Sequence, residues 1–183
     1  MEISKYYKMF LNGDNNGLAQ IISTFKDGLI LYLNTYVRDI AVAEELTEET
    51  FVKLVLKKPR FSGNASFKTW LYSIGRNIAL DYLRKSKKRE ISLDSYPEIL
   101  DDEKNLEQNY IQFESRILVH RAMRKLKAEY QQVLWLIYFE KFTCKETARI
   151  LGKTPHNVET MAYRARNALK IKLIEEGYIY EEL

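Results

Sequence analysis

Apolar residues in this chain recur every three or four positions and hardly ever every second one, which is the signature of helices. Between Leu18 and Val37 the residues Ile21, Ile22, Phe25, Leu29, Leu33 and Tyr36 share one face at helical spacing. A shorter helix over residues 4–12 precedes it and is stopped by the turn-rich "NGDNNG". Asp39 stands where it can cap a third helix, "IAVAEELTEETFVKLVLKK", which must end before Pro59 because the ring excludes helical geometry from the residue ahead of it. "PRFSGNAS" is a loop by composition, and Ser66 can cap a long fourth helix reaching about Lys88. Its expected inward stripe is Leu71, Ile74, Ile78, Ala79 and Tyr82. These segments predict a four-helix domain ending near Arg89. "EISLDSYPEILDDEKNLEQ" has weak periodicity and reads as a linker; helix resumes near Leu106, reaches Leu126, and is followed by "AEYQQVLWLIYFEKF".

Residues 143–170 carry four separate helix signals. Thr143 and Glu146 have the spacing of a capping box, in which each side chain satisfies an orphan amide of the other. Gly152 supplies the positive φ of a sharp turn after "ARIL", and Thr154-Pro155 is a cap followed by a first-turn proline. Ala148, Gly152, Val158 and Met161 have the offsets of a helix-turn-helix. With Val158, Ala162, Ala165 and Leu169 turned inward, the outward face holds His156, Asn157, Glu159, Thr160, Tyr163, Arg164 and Asn167. On such a recognition helix Asn157, Glu159 and Thr160 would reach base edges, while Tyr163, Arg164 and Arg166 would meet methyl groups or phosphates.

Composition narrows the class. Seven glycines and three prolines in 183 residues leave little material for sheet turns, so the expected fold is all-α: two small helical domains joined by an acidic linker, the C-terminal one containing the helix-turn-helix. No stretch approaches a membrane span, and "MEISKYYKMF" lacks a signal peptide's apolar run. Cys144 is the single cysteine, so no internal disulfide can form and a reducing cytoplasm is expected. His120 and His156 are too far apart to suggest a metal site, and neither a glycine-rich phosphate loop nor a paired-carboxylate motif points to an enzyme; no cofactor is expected.

Charge is segregated behind a net +4: eleven bases against one acid from Val52 to Arg89, eight acids against one base from Glu90 to Glu114, and eight bases against two acids from Lys141 to Lys172. Two basic blocks around an acidic connector suggest two contacts with one polyanion. In the first block Phe61, Phe67, Trp70, Tyr72 and Tyr82 lie among the cations, a mixture suited to single-stranded DNA. Tyr72 and Tyr82 are expected inside, and Trp70 is open to either role.

"VAEELTEETFVKLV" followed by "FSGNASFKTWLYSIGRNIALDYLRKSKKR" resembles the promoter-melting domain of the extracytoplasmic-function sigma factors, compact two-domain members of the bacterial primary sigma family. "LKAEYQQVLWLIYFEKFTCKETARILGKTPHNVETMAYRARNALK" is similar to their second domain, and the two blocks cover about 130 residues in the right order. The resemblance implies a domain at residues 1–89 that binds core RNA polymerase and reads and melts the −10 element. It also implies a linker at 90–112 and a −35-reading domain at 113–183. Glu45, Leu46, Glu48, Glu49 and Phe51 would then contact core polymerase. Phe61, Asn64, Ser66, Lys68, Trp70, Arg76, Arg84, Lys85 and Lys88 would hold −10 DNA, with Asn64 and Ser66 facing a flipped base. His156, Asn157, Glu159, Thr160, Tyr163, Arg164 and Arg166 would hold −35 DNA. Implied partners are core polymerase, promoter DNA and, as often in the family, an anti-sigma factor. Gly75 stands where the family usually has alanine, and Glu159 and Asn157 depart from its usual recognition residues, so the preferred −35 sequence should differ.

A connector of about 25 residues reaches ~85 Å extended but spans only ~30 Å relaxed. The two halves of the free chain can therefore collapse together, and weak, salt-sensitive binding to promoter DNA is expected in the absence of polymerase. The alternative is a dimeric helix-turn-helix regulator that binds operators directly, marked by a symmetric second half-site or by no affinity for core polymerase.

Overall fold

The computed structural model describes residues 3–90 and 118–177, with side chains in the first stretch as far as residue 87. Most of the expected acidic linker, and the helix expected from Leu106 to Leu126 as far as residue 117, lie outside these residues. Every regular element among the described residues is helical.

Helix α1 (Ser4–Leu11) docks on α2 (Asn15–Val37) by inserting Tyr7 and Phe10 into the core. The Asp14 side chain caps α2 by accepting from the Asn16 amide, and Asp39 caps α3 (Ile40–Lys57) by accepting from Val42 N. Inside α3 the buried hydroxyls of Thr47 and Thr50 donate to the carbonyls of Ala43 and Leu46, each at 2.8 Å, so neither polar group is left unpaired. The chain leaves α3 through Lys58 at φ 42°, immediately ahead of Pro59. Helix α4 (Phe67–Glu90) starts where Ser66 Oγ accepts from the Thr69 amide at 3.2 Å.

Two expectations change at the α3 and α4 faces. Leu46 and Phe51, expected at a partner interface, are buried on the same stripe as Ala43, Thr50 and Leu54, because that stripe packs on α2 and α4. Tyr82 was expected in the inward stripe but is 37% exposed: full burial along α4 ends at Ala79, and the last turns run on past the helices they pack against.

The second stretch begins with helical residues 118–124 (α5), then α6 (Ala128–Leu134). The buried Gln131 amide donates to the carbonyls of Arg124 and Leu126 and fixes the turn between them. Instead of ending, α6 widens into a π-helical turn over Trp135–Phe139, with the two terminal rings stacked at 4.3 Å. Lys141 follows in the left-handed region at φ 60°, an unfavourable setting for a side chain with a Cβ. The expected capping box is present at the start of α7 (Cys144–Leu151), Gly152 turns at φ 63°, and Thr154 with Pro155 opens α8 (Pro155–Glu175).

One apolar core runs through both halves, because α6 packs on α2 and α7 packs on α4. The two halves thus meet in a packed, side-chain-specific contact.

Candidate nucleic-acid interface

The loop between α3 and α4 is anchored from below by rings. Phe61 lies 5.6 Å from Phe67 and 5.3 Å from Trp70, and Tyr7 lies 5.5 Å and 5.4 Å from the same two rings. The Tyr7 hydroxyl donates to the Pro59 carbonyl at 2.8 Å, so the N-terminal helix holds the loop by its base. Burial holds this hydroxyl above the ordinary tyrosine pKa, which keeps it a donor. Phe61 and Trp70 are half-buried in this cluster.

From the other side the loop is touched by the C-terminal half. Arg149 of α7 donates to the Asn64 carbonyl, and the Asn64 side chain is exposed. The Ser66 and Thr69 hydroxyls each lie 3.2 Å from Glu146 Oε1 as donors to it. Partial burial raises the Glu146 pKa, but hydrogen bonds from the Thr143 amide and hydroxyl, Ser66 and Thr69 outweigh this and leave it below the ordinary value. The Lys68 ammonium sits 2.8 Å from Glu140 Oε2, donates to the Glu140 carbonyl at 2.7 Å, and lies 4.7 Å above the Phe142 ring. Tyr72, wholly buried, donates to Glu140 Oε2 at 2.7 Å; burial first, and the neighbouring carboxylate second, push its pKa far up. Arg76 lies close to Tyr36 and beside the Gly152 turn. Arg84 pairs with Asp81 at 2.9 Å, Lys85 is exposed, and the Lys88 side chain lies outside the described residues.

The outward face of α8 carries His156, Asn157, Glu159, Tyr163, Arg164 and Arg166, all exposed, with Thr160 half-buried. Val158, Met161, Ala162 and Ala165 hold the helix down on the core. Arg166 donates to the Tyr138 hydroxyl of the π-helical turn at 2.9 Å. On α3, Glu44, Glu45, Glu48 and Glu49 are all exposed. Sequence reasoning missed their neighbours: Val52, Val55 and Leu56 are 49%, 38% and 74% exposed and continue the Glu45–Glu48 stripe at helical spacing. Large apolar residues in line with acids on an otherwise well-packed helix could have signalled a contact face.

Among the described residues no group of three or more His, Cys, Asp or Glu side chains is placed to hold a metal, and no helix is long and apolar enough to cross a membrane.

The Sigma-70 region 2 family matches residues 21–89, and the Sigma-70, region 4 family matches residues 116–169. The chain is 28% identical over 183 residues to the ECF RNA polymerase sigma factor SigW of Bacillus subtilis, covering 94% of this chain and 97% of SigW. It is 32% identical over 162 residues to the RNA polymerase sigma factor YlaC of the same species, covering 85% of this chain and 91% of YlaC. In fold it is similar to the sigma factor RpoE in complex with the anti-sigma factor NepR from Bartonella quintana, with a TM-score of 0.69 at 22% identity over 85% of this chain and 95% of that one. CnrH in complex with the cytosolic domain of CnrY gives a TM-score of 0.63 at 18% identity, covering 94% of this chain and 95% of that one. Region 2 followed by region 4 is thus matched in order and over most of the length of the relatives. The chain belongs to the extracytoplasmic-function sigma factors, subunits that direct promoter-specific transcription by bacterial RNA polymerase.

Proposed function

We propose that the chain is a dissociable initiation subunit, working in the cytoplasm and without catalytic activity of its own, in which three surfaces act in sequence. The acidic face of α3, Glu45, Glu48 and Glu49 extended by Val52, Val55 and Leu56, docks on core polymerase. Leu46 and Phe51 serve it from beneath, by fixing the face to the core. The loop with Asn64 and Ser66, the half-buried rings of Phe61 and Trp70, and the cations Lys68, Arg76, Arg84, Lys85 and Lys88 take the −10 strand. The α8 face from His156 to Arg166 takes −35 DNA, with Asn157, Glu159 and Thr160 toward base edges and Tyr163, Arg164 and Arg166 toward the backbone. The working division is residues 1–89, the linker 90–112, and residues 113–183. An anti-sigma factor is a further partner, on the analogy of the complexes in which RpoE and CnrH were solved.

The observation that carries this reading is the exposure of the α8 face together with a ring-supported loop set in a basic block. Stacking on such rings supplies ~1–3 kcal/mol per unstacked base, which offsets part of the cost of opening the duplex. The test is transcription reconstituted with core polymerase on a library of random upstream sequences. Discrete start sites sharing two spaced elements are expected; transcripts indistinguishable from those of core polymerase alone would reject the reading. Glu45→Lys with Glu49→Lys should abolish binding to core polymerase without changing the melting curve.

A further inference from the structure

Helix α8 ends in a turn that sends the chain back on itself. Gly177 lies in the left-handed region at φ 87°, and its amide donates to the Ile174 carbonyl at 3.0 Å. That is one of the two bonds by which a Schellman turn closes a helix. In such a turn the residue after the glycine packs on the residue four positions before it, here Leu173. The turn is held against the neighbouring helix: Lys125, just after α5, pairs with Glu176, and Arg121 of α5 faces the same carboxylate. Residues 178–183, "YIYEEL", follow it and lie outside the described residues.

Leu173 also belongs to an open cleft of about 310 Å³ between α5, the π-helical turn and α8. Met123, Leu134, Phe139 and Leu169 complete its apolar lining, and Arg166 and Lys170 stand on its α8 side. Tyr138 and Phe139 are 42% and 40% exposed there, large rings left open to water. The partner of Arg166 within the cleft is the neutral Tyr138 hydroxyl, which leaves its charge uncompensated by that contact. The cleft therefore fits an apolar segment followed by negative charge.

The residues after Gly177 have that order. In an extended segment alternate side chains share a face and repeat every ~6.6 Å, while residues four apart on a helix are ~6 Å apart. Running back along α8, Tyr178 and Tyr180 therefore match Leu173 and Leu169 in spacing, with Ile179 turned outward. Glu181 and Glu182 come about 10–13 Å beyond Tyr178, level with Arg166, which lies about 10.5 Å along the helix from Leu173. We infer that residues 178–182 are the occupant of this cleft: a strap in which Tyr178 and Tyr180 cover the apolar lining and Glu181 and Glu182 meet Arg166 and Lys170. Tyrosine suits the task, since its ring is buried while its hydroxyl stays at the wet rim. The strap does not depend on the reading of α8 as a DNA-contacting helix.

The test compares the full chain with one ending at Gly177. Removal of the strap should speed hydrogen exchange about tenfold in residues 118–124 and 169–176, and leave α1 and α3 unchanged. Tyr178→Ser with Tyr180→Ser should reproduce that change, and Ile179→Ser should not. In the full chain, a benzophenone amino acid in place of Tyr180 should cross-link on illumination to Met123 or Leu169 of the same chain. In place of Ile179 it should not reach them, and Glu181→Lys with Glu182→Lys should lower the yield at position 180 severalfold. Exchange unaffected by the truncation would overturn the strap, as would equal effects at positions 179 and 180. Cross-links joining two chains would overturn it in favour of a second copy in the cleft. Dodecanoate bound as tightly by the full chain as by the truncated one would overturn it in favour of a free amphipathic anion.

Discussion

Gly17→Ala should cost this protein stability although alanine is the better helix former. An ideal Cβ on Gly17 lies 2.1 Å from the Tyr6 carbonyl oxygen and 2.8 Å from the Phe10 amide nitrogen. Both are backbone atoms of α1, so no rotamer change relieves the overlap, and α1 must lift away from α2. The lift withdraws Tyr7 and Phe10, which are 1% and 5% exposed. Burying each is worth roughly 1.5–3 kcal/mol, an upper estimate because the unfolded chain is itself partly compact. The Tyr7–Pro59 hydrogen bond adds about 1 kcal/mol. Against this, alanine in place of glycine within a helix returns about 1 kcal/mol. With α1 partly retained, the net expectation is a loss of about 2–4 kcal/mol, or a fall of roughly 5–15 °C in Tm for a chain of this size. Urea titration followed by circular dichroism measures the loss. Hydrogen exchange should rise first in α1 and at the base of the 59–66 loop. A variant as stable as the parent, or more stable by the propensity gain, would refute the argument that backbone contact at Gly17 docks α1.

Thr143→Ala removes both hydroxyl contacts with Glu146 and the cap at the start of α7, for an expected loss of about 1 kcal/mol by urea titration. Gly75→Ala places a Cβ 3.1 Å from a Leu29 methyl, a flexible neighbour that can shift, so a gain of up to about 1 kcal/mol is expected; a comparable loss would show Leu29 to be immobile. The pKa of His120 is lowered, first by burial beside Trp135 and Phe139 and then by Arg124. Its neutral form is therefore favoured by folding: its contribution is full above the unfolded pKa of about 6.5 and is lost as pH falls through the lower folded value. The urea midpoint should fall between about pH 7.5 and about pH 5, and His120→Gln should flatten that part of the profile. Glu146, also depressed, adds stability that is present above its ordinary value of 4.5 and lost in stronger acid; Glu146→Gln should weaken that acid limb.

What local chemistry dictates could be read along the chain. Asp39, Ser66, the Thr143–Glu146 pair and Thr154-Pro155 act on amides within three or four residues of themselves, and each stands where its spacing demands. Long-range partners leave no such trace. Glu140 meets Lys68 and Tyr72 across about seventy residues, and in "YFEKF" it looks like any acid at a helix end. Gly17 and Gly28 read as helix weaknesses, because periodicity does not show which backbone passes close by. Tyr82 has the right phase for burial, but phase is silent about where the neighbouring helices stop. The π-helical turn escapes for a similar reason, since five apolar residues in a row suit any helical pitch. For the candidate site, residue types and their loop or helix were legible, whereas their present engagement by the opposite half was not.

The segment joining α3 to α4 is clasped from two sides: Tyr7 grips it at Pro59, and Arg149 and Glu146 touch it at Asn64 and Ser66. These grips differ in permanence, because the first lies within the N-terminal bundle and the second spans the two halves. On the proposed reading of that segment, were the halves to part it would be released on one side only and keep its shape on the other. An incoming base would then meet a rigid receptor, sparing the ~0.5–1.5 kcal/mol that freezing each loose side chain would otherwise cost.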